Sequence, residues 1–330
     1  MRRAVLPVLL ACLWLAASPS LLHAAARSVP ATEPAAGSAD RLALWPAGQV
    51  PGETGPARTP HVIERSGDAP LPDRYIDDVD APYLVAYRPR HPNGSALLVI
   101  PGGGYQRIVL DKEGTALVPA FVDQGGVTLF VLRYRLPAGR ADRQAALADA
   151  QRALRLIRAG ATRWQLDPKR IGVMGFSAGG HVAARLSTGF DLPVYPPADA
   201  IDRQSARPDM ALLLYPVIDM GAHAHSGSRT RLLGEHPQAA QVAQFSMQDH
   251  VRPDQPPTFL VHAQDDAVVS VHNSLVYYQA MSRAGVAAEM HLFPQGGHGF
   301  GVRMPATSTV AQWPALALRW MQAQAPEAAR

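Results

Sequence analysis

"MGFSAGGHVAARL", residues 174–186, decides how the rest of the chain is read. Gly175 and Gly179 flank Ser177 at Gly-x-Ser-x-Gly spacing. The apolar run "RIGVMGF" leads into the serine, and "AGGHVAARLS" continues with helical spacing. A serine between a strand and a helix is held on a strained turn, with its Oγ exposed at the carboxyl edge of a sheet. Serine and glycine also populate ordinary turns. A serine hydroxyl is a weak nucleophile at neutral pH and needs a base and oxyanion donors. The reading of Ser177 as a nucleophile therefore depends on what else the chain supplies, and in what order.

The oxyanion donors are expected upstream, on a glycine-rich loop after an earlier strand, together with the amide that follows the serine. "SALLVIPGGGY", residues 95–105, fits: an apolar run ends in Gly102, Gly103 and Gly104. The amides of Gly103, Gly104 and Ala178 are the expected donors. A phosphate-binding loop would carry Lys and Ser/Thr directly after the glycines, but Tyr105 and Gln106 stand there. Tyr105 is expected to contact substrate beside the oxyanion hole and to shorten the acyl pocket. The alternative is that it packs under the loop.

Downstream, "TFLVHAQDDAVVS", residues 258–270, is an apolar strand followed by two aspartates. Asp266 is taken as the catalytic acid, with Asp265 as the alternate. "HLFPQGGHGFG", residues 291–301, follows the last strand and puts His298 on a glycine-rich loop as the base. Ser177 to Asp266 is 89 residues and Asp266 to His298 is 32, in the order Ser, Asp, His of an α/β-hydrolase. His262 is expected to shape the acid turn, His291 to be structural and His181, inside the helix, to be buried or capping. His223, His225, His236 and His250 are irregularly spaced, with no carboxylates in register, so no metal site is expected. No cofactor is needed for this chemistry.

The remaining pattern gives the fold class. "APYLVAYRP" and "VTLFVLRYRL" read as strands, and "MALLLYPVID" and "AEMHLF" read as two more. Between and after them, "RQAALADAQRALRLIRAG", "SLVYYQAMSRAG" and "AQWPALALRWMQAQ" have helical spacing. Continuous apolar strands alternating with helices imply an α/β domain, a mostly parallel central sheet covered on both faces. Residues 220–257 are polar and only weakly helical, and are expected to form a small lid-like insertion.

The chain has 330 residues, 47% hydrophobic and 18% charged, which suits a large packed domain and excludes a disordered chain. The net charge of +4 comes from scattered arginines rather than a basic run, so no nucleic-acid partner is expected. Residues 1–26 read as a signal peptide: Arg2 and Arg3, the apolar "AVLPVLLACLWLAA", then small residues at 24–26. That run falls short of the about 20 residues needed to span a bilayer, so no stable membrane insertion is expected. Cys12, the only cysteine, lies within it, which leaves the exported chain without disulfides or thiolates. Residues 27–75 read as a Pro/Gly-rich leader in which Leu44 and Trp45 pack on the domain. Residues 76–330 read as the catalytic domain.

With these motifs in place, the chain resembles bacterial α/β-hydrolase carbohydrate esterases of the acetylxylan esterase kind. The similarity runs from "LWPAGQVPGE" through "VIPGGGYQRIVLDKEG", "GVMGFSAGGHVAA" and "PPTFLVHAQDDAVVSVHNSL" to "HLFPQGGHGFG". The "PGGGY" and "GGHGFG" forms are the more specific, and "GFSAGG" is shared across many hydrolases. Pro101 replaces the histidine of the lipase-like "HGGG" loop. The resemblance implies removal of acetyl groups from plant cell-wall oligosaccharides by an exported enzyme, periplasmic or secreted. The alternatives are a serine peptidase of the prolyl-oligopeptidase kind and a hydrolase-like binding protein. The first usually carries an extra cap domain. The second would be expected to have lost a triad member.

Overall fold

The computed structural model describes residues 27–29, 40–52, 59–137 and 142–324. The expected signal peptide lies outside them. Along the chain run β1 (Arg27–Val29), β2 (Asp40–Ala43), β3 (Val62–Glu64), β4 (Arg74–Ile76), β5 (Tyr83–Tyr87) and β6 (Ala96–Ile100). They continue with β7 (Ile108–Val109), β8 (Thr128–Arg133), β9 (Ile171–Phe176), β10 (Ala211–Leu214), β11 (Thr258–Ala263) and β12 (Ala288–Phe293). The main sheet has the order β12-β11-β10-β9-β6-β8-β5-β2. The six strands from β12 to β8 in that order pair in parallel, and β5 and β2 add an antiparallel edge. This is the α/β-hydrolase architecture expected from the sequence.

The apolar runs are explained by burial on both faces. In β6, Ala96, Leu98 and Ile100 enter one core cluster, while Leu97 and Val99 enter the other. Strand side chains alternate between faces, so a strand covered on both sides is apolar at every position. One layer holds α1 (Ala145–Ala159), α2 (Ala161–Trp164), α3 (Ser177–Thr188) and, further along the chain, α6 (His272–Arg283). The other holds α7 (Trp313–Ala323) and a π-helical turn at Val118–Gln124. α1 ends at Gly160, and the chain leaves α6 through Gly285 at φ +71°. Edge strand β12 is only half-buried, and His291 there bonds Glu289 at 2.7 Å.

Three features depart from the sequence reading. First, ordered structure begins upstream of residue 76. β2 forms the edge of the main sheet, and β1, β3, β4 and β7 make a second, antiparallel sheet. Leu44 and Trp45 are buried as expected, and the Trp45 indole donates to Asp149 at 2.9 Å. Arg74 clamps the buried Asp111 with bonds of 2.6 and 3.0 Å, which ties β4 to the loop after β7. Second, the strand expected over 210–219 stops at Leu214. Tyr215 sits at φ +38° and turns the chain out of the sheet. The amides of Ile218 and Asp219 then donate to Asn273 Oδ1 instead of a neighbouring strand. Third, the insertion is more helical and more buried than its polar, weakly helical sequence implied. It carries α4 (Ser226–Leu233) and α5 (Ala239–Phe245), and Leu232, Leu233, Phe245 and Met247 are buried in the larger core cluster.

Candidate active site

The sharp turn between β9 and α3 is forced by close approach. A Cβ on Gly175 would lie 2.5 Å from the Gly179 carbonyl oxygen, and one on Gly179 would lie 2.1 Å from that of Ile100. Both positions require glycine, because the first turn of α3 presses onto the end of β6. Ser177 itself is held at φ +51°, a left-handed conformation costly for a residue with a side chain. That conformation lifts Oγ to the sheet edge, and the elbow has the geometry expected.

The structure brings Ser177, His298 and Asp266 into one line. Ser177 Oγ donates to His298 Nε2 at 2.9 Å, and His298 Nδ1 donates to Asp266 Oδ2 at 2.7 Å. Asp266 is fixed by further bonds. Its Oδ1 accepts from the Val268 and Val269 amides, each at 2.9 Å, and its Oδ2 lies 3.3 Å from His262 Nε2. Burial pushes this carboxyl up, but hydrogen bonds from His262 and His298 and the Val269 amide outweigh it and hold it well below the usual range. The neighbouring aspartate does something else. Asp265 Oδ1 accepts from the Gly297 amide at 2.8 Å and anchors the loop that carries His298. Of the two adjacent carboxylates, Asp266 is the one on the histidine.

Gly103 and Gly104 face Ser177 across a cavity of ≈ 420 Å³ that His298 also lines. That volume lies within the range of about 300–1,000 Å³ for small-molecule sites. Gly103 sits at φ +134°, and a Cβ there would lie 2.1 Å from the Arg107 carbonyl oxygen. Ala178 is the second residue of α3, where backbone amides have no partner within the helix. Gly102 has a separate use: its amide donates to Glu113 Oε2 at 2.7 Å.

Tyr105 does not stand where the sequence placed it. It is 0% exposed and does not line the cavity, so it cannot contact substrate. Its own φ of +60° takes the ring beneath the glycine loop, where its hydroxyl donates to His181 Nδ1 at 2.6 Å. His181 Nε2 then donates to the Phe245 carbonyl at 2.8 Å. Burial and the nearby Arg185 push the His181 pKa down to about 3, so the ring is neutral. This buried chain links the glycine loop, α3 and the insertion. The residue across the cavity from the glycine loop is His225, whose Cε1 would lie 3.7 Å from a Cβ on Gly104. His225 Nδ1 accepts from the Ser228 amide at 3.2 Å and caps α4, which leaves the neutral ring's hydrogen on Nε2.

Glu113 has no role assigned from the sequence. Besides holding Gly102, it accepts at Oε1 from the Tyr215 hydroxyl at 3.0 Å. That hydroxyl accepts in turn from the Gly301 amide at 3.1 Å, and the Tyr215 ring lies edge-on to His298 with centroids 5.1 Å apart. One buried carboxylate thus ties the glycine loop to the histidine loop. Burial raises its pKa against the opposing pull of the Gly102 amide. No local pattern marks Glu113, because Tyr215 is 102 residues away.

The chain is also similar to known proteins. The BD-FAE family model matches residues 83–281. Over 231 residues the chain is 33% identical to an acetylxylan esterase of Xylanibacter ruminicola, a match covering 68% of this chain and 45% of that protein. Over 213 residues it is 36% identical to endo-1,4-beta-xylanase B of Butyrivibrio fibrisolvens, covering 62% of this chain and 32% of that one. The matches thus span less than half the length of either protein. Among solved structures, an acetyl ester-xyloside bifunctional hydrolase of Caldicellulosiruptor lactoaceticus is similar at a TM-score of 0.70 and 35% identity, covering 86% of this chain and 96% of that one.

Proposed function

The chain belongs to the BD-FAE family, and we propose that it is an exported serine esterase removing short acyl groups, above all acetyl, from hemicellulose-type oligosaccharides. The observation that carries this reading is the hydrogen-bonded line from Ser177 through His298 to Asp266, facing the glycine loop. The names of the similar proteins support the substrate class. Residues 1–26 support export, with their basic and then apolar composition.

His298 Nε2 takes the Ser177 proton as Oγ attacks the ester carbonyl. Asp266 keeps Nδ1 protonated and stabilises the imidazolium. The amides of Ala178 and of Gly103 or Gly104 receive the developing oxyanion. His298 returns the proton to the departing sugar hydroxyl, leaving Ser177 acylated. Water deprotonated by His298 then releases the acid and restores the serine. His225, rather than Tyr105, stands opposite the glycine loop and limits the acyl chain.

The test is a substrate panel: p-nitrophenyl acetate, butyrate and octanoate, acetylated xylo-oligosaccharides and a dipeptide amide. The expected outcome is acetate release from the oligosaccharides and kcat/KM falling steeply with chain length. An apolar pocket discriminates by about 1–3 kcal/mol per methylene. Strong octanoate or amide hydrolysis without acetate release from the sugars overturns the reading.

A further inference from the structure

The cavity around Ser177 is unequally charged. Arg65, Arg107, Lys112 and Arg231 line it, against a single lining carboxylate, Glu113. Glu113 is buried, holds Gly102 and Tyr215 and interacts with Lys112, but it forms no ion pair with Arg107 or Arg231. Asp73 is shared between Arg65 at 2.9 Å and Lys112 at 3.7 Å, and Asp266 lies behind His298. Arg107 and Arg231 have no carboxylate within ion-pair distance among the described residues. Arg107 instead lies against the Tyr75 ring, 4.9 Å from its centroid, and Arg65 meets the same ring at 5.3 Å.

The origin of these cations matters. Arg65 follows β3, Arg107 and Lys112 flank β7, and Arg231 lies in the last turn of α4. The small antiparallel sheet and the insertion therefore each contribute positive charge to the cavity that holds the nucleophile. A neutral acetylated sugar has no group that needs this charge. Clefts lined by one sign of charge concentrate ligands of the other sign, and arginine forks fit carboxylates.

We infer that the cleft selects acetylated oligosaccharides that carry a carboxylate, as on a uronic acid branch, with Arg107 and Arg231 as the groups that receive it. The inference rests on the esterase reading above and narrows its substrate class. The carboxylate belongs to a sugar near the acetylated one, because the acetyl carbonyl itself sits at the glycine loop.

Direct binding tests this independently of turnover. Calorimetric Kd values are measured on the whole protein for three unacetylated ligands: a xylo-oligosaccharide with a glucuronosyl branch, the unbranched oligosaccharide of equal length, and an oligogalacturonide. The branched ligand is expected to bind about tenfold more tightly than the unbranched one at low salt. That advantage should shrink to about twofold at 0.5 M NaCl as the charges are screened. In Arg107→Gln/Arg231→Gln the ratio of the two Kd values should approach one. Equal Kd values at low salt, or a salt-insensitive ratio that survives in the double variant, overturns the inference. Tighter binding of the oligogalacturonide than of the branched ligand overturns the hemicellulose source. Loss of p-nitrophenyl acetate hydrolysis bears on the esterase reading alone, since the Kd values do not depend on it.

Discussion

On the floor of the cleft the polar side chains have fixed partners. Asp266 accepts from two amides and two histidines, Glu113 joins an amide and a hydroxyl, and Tyr105 and His181 close a buried chain to Phe245. On the rim, Arg107 and Arg231 project into the same cavity with no carboxylate to meet them among the described residues. The floor is largely buried and over-determined, as preorganised chemistry requires. The rim is open and under-neutralised, as recognition of a charged ligand requires. Changes to the floor should therefore act on kcat or on folding, and changes to the rim on binding.

The contrast breaks most sharply at the nucleophile. Ser177→Ala should lower kcat by about 10⁶ with the fold intact, since only one hydroxyl is removed. Stopped-assay kinetics together with the thermal midpoint check this, and a variant retaining a tenth of the activity would end the assignment. The adjacent aspartates come next. Asp266→Asn should cost about 10⁴ in kcat, because the wrong tautomer of His298 is then favoured. Asp265→Asn should cost far less, since that side chain only holds the Gly297 amide. Comparing kcat for the two variants decides between them, and the reverse ranking would move the acid to Asp265.

Glu113→Gln sharpens the comparison within the floor. Glutamine has one acceptor oxygen for two donors, the Gly102 amide and the Tyr215 hydroxyl, so its NH₂ must face one of them. Misplacement of the glycine loop should lower kcat by about 10²-fold, with KM changed less. A variant with unaltered kcat would show that the loop holds its shape without this carboxylate.

The smallest effect expected is on stability. His181 titrates at about 3 in the folded protein, against a usual value of 6.5, because burial and Arg185 disfavour its charged form. Below pH 6.5 the unfolded chain binds a proton there that the native protein does not. The stability linked to His181 is thus fully present above pH 6.5 and is lost as pH falls toward 3. Between pH 7 and pH 5 that loss should reach about 2 kcal/mol, at about 1.4 kcal/mol per pH unit below 6.5. His181→Gln keeps a donor and an acceptor but cannot titrate. Its urea-unfolding free energy should therefore fall less on acidification than that of the wild type. Parallel pH profiles for the two proteins would remove His181 as the source.

These tests follow the boundary between what local sequence encodes and what it does not. The alternation of β6, β8 and β9 between two cores is written in consecutive apolar residues, because strand side chains switch face at every step. Half of the elbow is equally legible: Gly175 is demanded by the Gly179 carbonyl four residues on, whereas Gly179 is demanded by the carbonyl of Ile100 at the end of β6. The order Ser177, Asp266, His298 could be read because each residue sits at the end of a recognisable strand. Residues 27–75 were less legible. The strands there are only three or four residues long, too short to show a period, and β2 pairs only with β5 of the main sheet, and so they resemble a leader.

By itself, the sequence determined the two-faced sheet, the strained serine turn and the presence of an acid and a base in hydrolase order. Tertiary structure decided which of Asp265 and Asp266 meets His298, and it sent Tyr105 under the loop instead of into the cavity. It also made Glu113 a tie between two loops and gathered Arg65, Arg107, Lys112 and Arg231 around one opening. The physical reason is the range of the interactions. Side-chain periodicity and the strand–serine–helix spacing act over a few residues, while hydrogen bonds such as Tyr215 to Glu113 join positions 102 apart. Such contacts exist only after the sheet has brought the segments together.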